Sequence, residues 1–211
     1  ERTRAGCGHA RGGGRMDALV MCGGRGTRLQ GEGADPGAEK PLVEVGGEPM
    51  LSRIVESLRE SGVGEVYAVV SPHAPATADR ARSRSVPTIE TRGDGYVSDL
   101  RAALETVGRP AVTVPADLPL LTPEHVDDAV AESYQRGHDA TSLTVCVPAV
   151  LKRRLGASVD TAFDHEGRTV TPTGLNVVGD GDDTVALTYD ARLSVNVNRP
   201  EDLELAEALC G

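Results

Sequence analysis

From Met16 onward, short apolar runs alternate with stretches whose apolar residues recur every three or four positions. Residues 17–22 form the first run and read as a buried strand, followed by a glycine-rich loop. Pro49 stands at a helix start. Behind it Met50, Ile54 and Leu58, with Leu51 and Val55, make two i,i+4 rows on one face, and Gly62 ends them. The pattern then predicts a strand over 65–71, a helix over 74–83 and a short strand over 86–91. Val97, Leu100, Leu104 and Val107 mark the apolar face of a further helix, and strand 111–116 ends at Asp117. Thr122 is placed to cap the next helix, with Pro123 in its first turn and Val126 and Val130 inward. Such alternation is the signature of a parallel sheet with helices on both faces.

After about Gly137 the pattern changes. Strands are predicted over 141–147, 169–178 and 184–189, with only a short helical piece at 150–155 between them. Gly179-Asp180-Gly181-Asp182-Asp183 reads as a hairpin turn, since its three carboxylates lack the ligand series of a calcium-binding loop. A strand near 193–197 and a helix over 200–209 close what reads as one domain, 16–211. Residues 1–15, rich in Gly and Arg without a long apolar stretch, read as a disordered leader outside the fold.

Composition adds three constraints. Hydrophobic residues make up 39% of the 211, but aromatics only 2%, so the core must be built from Val, Leu and Ala. No apolar run approaches the roughly 18 residues of a membrane span. The net charge is −10, and four Arg against one Glu in the first 15 residues leave the remainder more acidic still. That argues against a general nucleic-acid surface, which needs clustered cations. Lys40 and Lys152 are the only lysines; a lysine-poor, Asp/Glu-rich composition fits a halophilic protein kept soluble in concentrated salt. Cys7, Cys22, Cys146 and Cys210 form no CxxC pair and read as free thiols of a cytoplasmic protein, and the five scattered histidines suggest no zinc site.

The chemistry concentrates at three points. Cys22-Gly23-Gly24-Arg25-Gly26-Thr27-Arg28 follows the first strand directly, where glycines let backbone N–H groups turn toward an anion and Arg28 can contact phosphate bidentately. No lysine follows a glycine, which excludes a Walker A loop, and Leu29 stands where a dinucleotide loop needs Gly. Glu39-Lys40-Pro41-Leu42 comes next; in a chain that almost never uses lysine, Lys40 is a sharp candidate for a triphosphate contact. Asp117 ends a buried strand at the sheet edge where ligands bind, and can hold Mg²⁺ against phosphates.

GGxGTR, EKP and a strand-terminal Asp in this order resemble the nucleotidyltransferase fold shared by sugar-nucleotide pyrophosphorylases and the molybdenum-cofactor guanylyltransferase. Gly95-Tyr96-Val97-Ser98-Asp99-Leu100, Pro172-Thr173-Gly174-Leu175-Asn176-Val177-Val178 and Asn196-Val197-Asn198 resemble more narrowly the archaeal GTP:adenosylcobinamide-phosphate guanylyltransferase family, within the MobA-like superfamily. The resemblance implies a Rossmann-like three-layer fold: a mostly parallel central sheet, helices on both faces, and an antiparallel C-terminal extension. It implies that Gly23, Gly24, Gly26, Thr27 and Arg28 wrap the triphosphate beside Lys40. Met21 and Cys22 would lie against guanine, with Cys22 departing from the usual Ala, and Ser71 and Asp94 near base and ribose. Asp117 would hold the metal, Mg²⁺, while Gly174, Asn176, Asn196 and Asn198 would line the acceptor side. Asn198 precedes Pro200 and has the competing role of a helix cap.

The implied reaction transfers GMP from GTP to adenosylcobinamide phosphate with loss of pyrophosphate. Arg28, Lys40 and Asp117 would be its catalytic residues. The nucleophile is already an anion, so no general base is required, in keeping with motifs that contain no histidine. A molybdenum-cofactor or sugar-phosphate nucleotidyltransferase and a catalytically idle nucleotide-binding regulator are the alternatives. Oligomeric state stays open, a homodimer included.

Overall fold

β1 (Asp17–Met21) is buried along nearly its whole length, because it is a central strand covered on both faces. In the computed structural model, residues 15–23, 39–134 and 139–210 are described. All but the last residue of the predicted leader, Arg15, and Gly24, Gly26, Thr27 and Arg28 of the predicted phosphate loop, lie outside them. A hairpin that the periodicity missed, β2 (Glu44–Val45) and β3 (Glu48–Pro49), reverses through Gly46 and Gly47, both at positive φ. Next come α1 (Met50–Glu60), β4 (Val66–Val70), α2 (Pro75–Ser83), β5 (Thr88–Glu90), α3 (Tyr96–Val107), β6 (Ala111–Pro115) and α4 (Pro123–Ser133). The C-terminal part contains β7 (Ser142–Pro148), α5 (Ala149–Leu155), β8 (Phe163–His165), β9 (Arg168–Val178), β10 (Asp183–Leu187) and α6 (Pro200–Cys210).

The strand order is β10-β7-β9-β6-β1-β4-β5, with β8 paired to β9. β1 pairs in parallel with β4 and β6, and β4 with β5. β9 runs antiparallel to β6, β7 and β8, which gives the C-terminal extension its antiparallel character, while β10 lies parallel to β7. Alternate strand residues face two cores. Ala18, Val20, Ala68, Val112 and Val114 pack with Leu51, Ile54 and Leu58 of α1, Ala78 of α2 and Val126 of α4. On the other face Leu19, Met21 and Val69 meet Ala103 and Leu104 of α3. A third cluster joins Val45, Met50, Leu120, Val195 and Val197 to Ala206 of α6. These cores contain aliphatic side chains, as the aromatic-poor composition requires. Among the described residues no helix is long and apolar enough to cross a membrane.

Three expectations need correction. Residues 179–183 are not a hairpin: β7 lies between β9 and β10, so the connection passes over the start of β7. The passage is tight, since a Cβ on Gly179 would stand 2.1 Å from the Ala140 carbonyl oxygen. Residues 193–197 pair with no strand; a 3-10 turn, Ala191–Ser194, precedes Val195 and Val197, whose side chains fill the third core. Val97 is 78% exposed, because it belongs to the first turn of α3, which overhangs the sheet beside Gly95 and Tyr96. The inward face of that helix is Asp99, Leu100, Ala103, Leu104 and Val107.

His125 fastens the start of α4 to the segment after β10. Its Nδ1 accepts from the Thr122 N–H at 3.1 Å, so Nε2 carries the proton and donates to Asp190 Oδ2 at 3.0 Å. Asp190 also takes a two-pronged bond from Arg192, and chiefly for that reason its carboxyl lies far below the usual carboxylate range.

Candidate active site

A cavity of about 320 Å³ opens at the carboxyl ends of β1 and β6. Strand order reverses there, from β1 toward β4 and β5 on one side and toward β6 on the other, the position where open α/β sheets bind ligands. Met21, Cys22 and Gly23 line it from the end of β1, and Pro115, Ala116 and Asp117 from the end of β6. His73, Gly93, Gly95, Tyr96 and Asp99 form another wall, and Lys40 and Pro41 close it. Every lining residue thus precedes position 118.

Lys40 is held in place by its neighbour. The Glu39 carboxylate accepts from the N–H groups of Ala76 and Thr77 at 2.8 and 2.6 Å, capping α2 and anchoring the 3-10 turn Lys40–Leu42. Lys40 Nζ then reaches Asp117 Oδ2 at 2.6 Å and Asn198 Oδ1 at 2.7 Å. The two side chains of this ion pair are 14% and 19% exposed, partly withdrawn from water yet open to the cavity. Asn196 Nδ2 donates to the other Asp117 oxygen, Oδ1, at 3.1 Å and to the Thr173 carbonyl at 2.8 Å.

Asn198 is no helix cap. Asp202, at the third residue of α6, accepts from the Asn198 and Arg199 N–H groups, leaving the Asn198 side chain to Lys40 and to Asp160. Gly174 and Asn176 sit on β9 away from the cavity lining. Gly174, at φ +95°, presses against Pro115 so closely that a Cβ would come within 2.5 Å of Cγ, and Asn176 Nδ2 donates to the Gly174 carbonyl. They shape the strand that carries Thr173 to Asn196. Ser71 is buried beside Gly23 and its Oγ accepts from the His73 N–H. Asp94 is exposed; Gly93 and Gly95, not Asp94, reach the cavity.

Two residues that had no site role on sequence grounds stand at the site. Asp99, buried on α3, accepts from the Gly93 N–H at 3.1 Å and fixes the wall there. Lys152, only 4% exposed, donates from Nζ to Asn196 Oδ1 at 2.9 Å. Burial pulls its ammonium below the ordinary lysine value, while Asp117, Asp202 and Asp160 oppose that shift. Rarity marked both lysines, but only Lys40 also stands in a motif, whereas Lys152 opens a Lys-Arg-Arg run in the short helical piece at 150–155. Cys22 is a buried part of the cavity floor. Burial, with Glu39 adding to it, pushes its thiol up to about 12, so it is a packing residue and no nucleophile.

Beside a switch-point cavity, the described residues gather the Lys40 ammonium and the Asn196 and Asn198 amides around the Asp117 carboxylate, a set suited to aligning phosphates. Residues 18–173 match the model of the MobA-like NTP transferase domain, and the chain belongs to that family of nucleotidyltransferases. Over 204 residues it is 30% identical to the adenosylcobinamide-phosphate guanylyltransferase of Methanocaldococcus jannaschii, covering 92% of this chain and 97% of that one. It is 32% identical to the 2-C-methyl-D-erythritol 4-phosphate cytidylyltransferase of Frankia casuarinae, over 92% and 81% of the two chains. The crystal structure of HddC from Yersinia pseudotuberculosis, complexed with GMP-PN, superposes with a TM-score of 0.67 at 16% identity, covering 93% and 100%. That likeness concerns the fold.

Proposed function

We propose that the chain transfers GMP from GTP to adenosylcobinamide phosphate. A phosphate oxygen of the acceptor attacks the α-phosphorus of GTP, a new P–O–P bridge forms, and the bond to the β-phosphate breaks to release pyrophosphate. The observation that carries the transfer chemistry is the Lys40 ammonium set between Asp117 and Asn198 at the cavity wall. The acceptor is supported by a likeness spanning nearly the whole of the Methanocaldococcus jannaschii enzyme, and by the GYxxDL, PxGxNVV and NVN motifs.

In this reading Gly23, Gly24, Gly26, Thr27 and Arg28 wrap the triphosphate and Lys40 balances its charge. Met21 and Cys22 floor the base site, Ser71 stands beside it, and Asn196 and Asn198 face the acceptor. Asp94 has the weakest claim, since its side chain points to solvent. Among the described residues no three His, Cys, Asp or Glu side chains cluster as a metal cage. The donors present are the Asp117 carboxylate and the neighbouring Asn198 amide oxygen, hard oxygens in a number that suits Mg²⁺ arriving already bound to phosphates. When bound, that ion supplies charge neutralisation across the phosphates. The chain itself supplies alignment and a fixed cation, and the acceptor anion needs no base.

Incubation with GTP, Mg²⁺ and adenosylcobinamide phosphate in high-salt buffer tests this. We expect adenosylcobinamide-GDP and pyrophosphate in equal amounts. Product with the molybdenum cofactor or a sugar phosphate instead would reassign the acceptor, and no pyrophosphate with any of them would overturn catalysis altogether.

A further inference from the structure

Lys152 projects from α5 into a place where an ammonium ion is costly, and it donates to a neutral amide. An ammonium carries donors only, so the atom of Asn196 that faces it must be the oxygen. The amide nitrogen is thereby turned the other way, and its two hydrogens go to Asp117 Oδ1 and the Thr173 carbonyl. Asn196 then has every hydrogen-bonding group of its side chain engaged. With no donor at position 152 the amide loses one of its three anchors and Oδ1 loses this bond, so Nδ2 is held less firmly against Asp117 Oδ1. The neighbouring acids Asp117, Asp202 and Asp160 favour its charge from a distance, but the hydrogen bond of Lys152 goes to Asn196, while Asp202 accepts from Ser158, Asn198 and Arg199.

We propose that Lys152 is a positioning residue of the transferase: by fixing the Asn196 amide it holds Asp117 with Oδ1 tied back and Oδ2 toward Lys40. This rests on the reading of Asp117 as the carboxylate that receives the nucleotide-bound metal. Partners that orient a metal ligand commonly contribute 10- to 100-fold to metal affinity, so roughly that loss is expected here.

The test measures Mn²⁺ binding to the protein–GTP complex by electron paramagnetic resonance, with no acceptor present. Lys152→Met keeps the stem's length and removes the donor. It should weaken Mn²⁺ binding about 10- to 100-fold. Asn196→Ala should cause a similar loss, and the double variant should lose no more than either single one. Wild-type Mn²⁺ affinity in Lys152→Met, losses that multiply in the double variant, or no Mn²⁺ binding by the wild type would each overturn the proposal. If Lys152→Met does not fold, Asn196→Asp is measured: it keeps the lysine paired but offers Asp117 only an acceptor. The same loss is then expected, and unchanged affinity overturns the proposal. Failure to use adenosylcobinamide phosphate would instead count against the acceptor assignment, which this measurement does not involve.

Discussion

Lys40 and Asp117 each perform a task that a neighbour makes possible. Glu39 anchors the turn that aims Lys40, and Asn196 holds one oxygen of Asp117 while Lys40 takes the other. Lys40→Ala should lower turnover by about one to two decades, the worth of one charge-assisted contact of about 1.5–3 kcal/mol. Thermal midpoints should show that the fold survives; wild-type turnover would remove Lys40 from the phosphates. Asp117→Asn keeps the shape but loses a hard anionic ligand. Its activity should fall and its Mg²⁺ titration shift to higher concentration, while metal-free GTP binding weakens little because a carboxylate repels bare triphosphate. Superimposable Mg²⁺ curves for variant and wild type would end the metal role. Lys40 and Asp117 were legible because one is a rare residue type and the other ends a buried strand. Lys152 was hidden, since nothing local reveals that a basic helix end folds inward. Asn198 was ambiguous until Asp202 was seen to take the capping task.

At the level of elements, periodicity located α1, β4, α2, β6 and α4 well, because each is long or apolar enough to show its period. It failed where partners are distant. Only the sheet order reveals that β10 pairs with β7 and not with β9, and the apolar run at 193–197 fills a core without joining a ladder. Gly174 belongs to this non-local class: its positive φ and its contact with Pro115 arise where β9 bends past β6. Gly174→Ala should cost about 1–3 kcal/mol from backbone strain, with further crowding against Pro115. An unchanged thermal midpoint would show that β9 adjusts freely. The His125–Asp190–Arg192 link makes a pH-dependent prediction. The Asp190 carboxyl titrates lower folded than unfolded, so its stabilisation is complete above about pH 4, the ordinary aspartate value, and fades as pH falls toward the folded value. Asp190→Asn should therefore destabilise the protein by about 1–2 kcal/mol at pH 7. Denaturant melts should bring variant and wild type together in strong acid; a constant gap would exclude the linkage.

For the molecule as a whole, the net charge of −10 opposes compaction by self-repulsion. Raising KCl from about 0.1 M to about 1 M shortens the Debye length from about 10 Å to about 3 Å. The thermal midpoint should rise over that range, and a falling one would mean that ion pairs outweigh repulsion. The described cavity walls come from the first 117 residues, whereas Lys152, Asn196 and Asn198 come from the last third of the chain; Asn196 bonds Asp117 directly, Lys152 bonds Asn196, and Asn198 bonds Lys40. On the ribosome β1, β4, β5 and β6 can emerge and pair while Asn196 is still unmade. The nascent protein thus gains the outline of its nucleotide cavity before the amide that steadies Asp117. A chain cut short before residue 196 by stalling or proteolysis would lack that amide, so the turn between β10 and α6 completes the hydrogen bonding around Asp117.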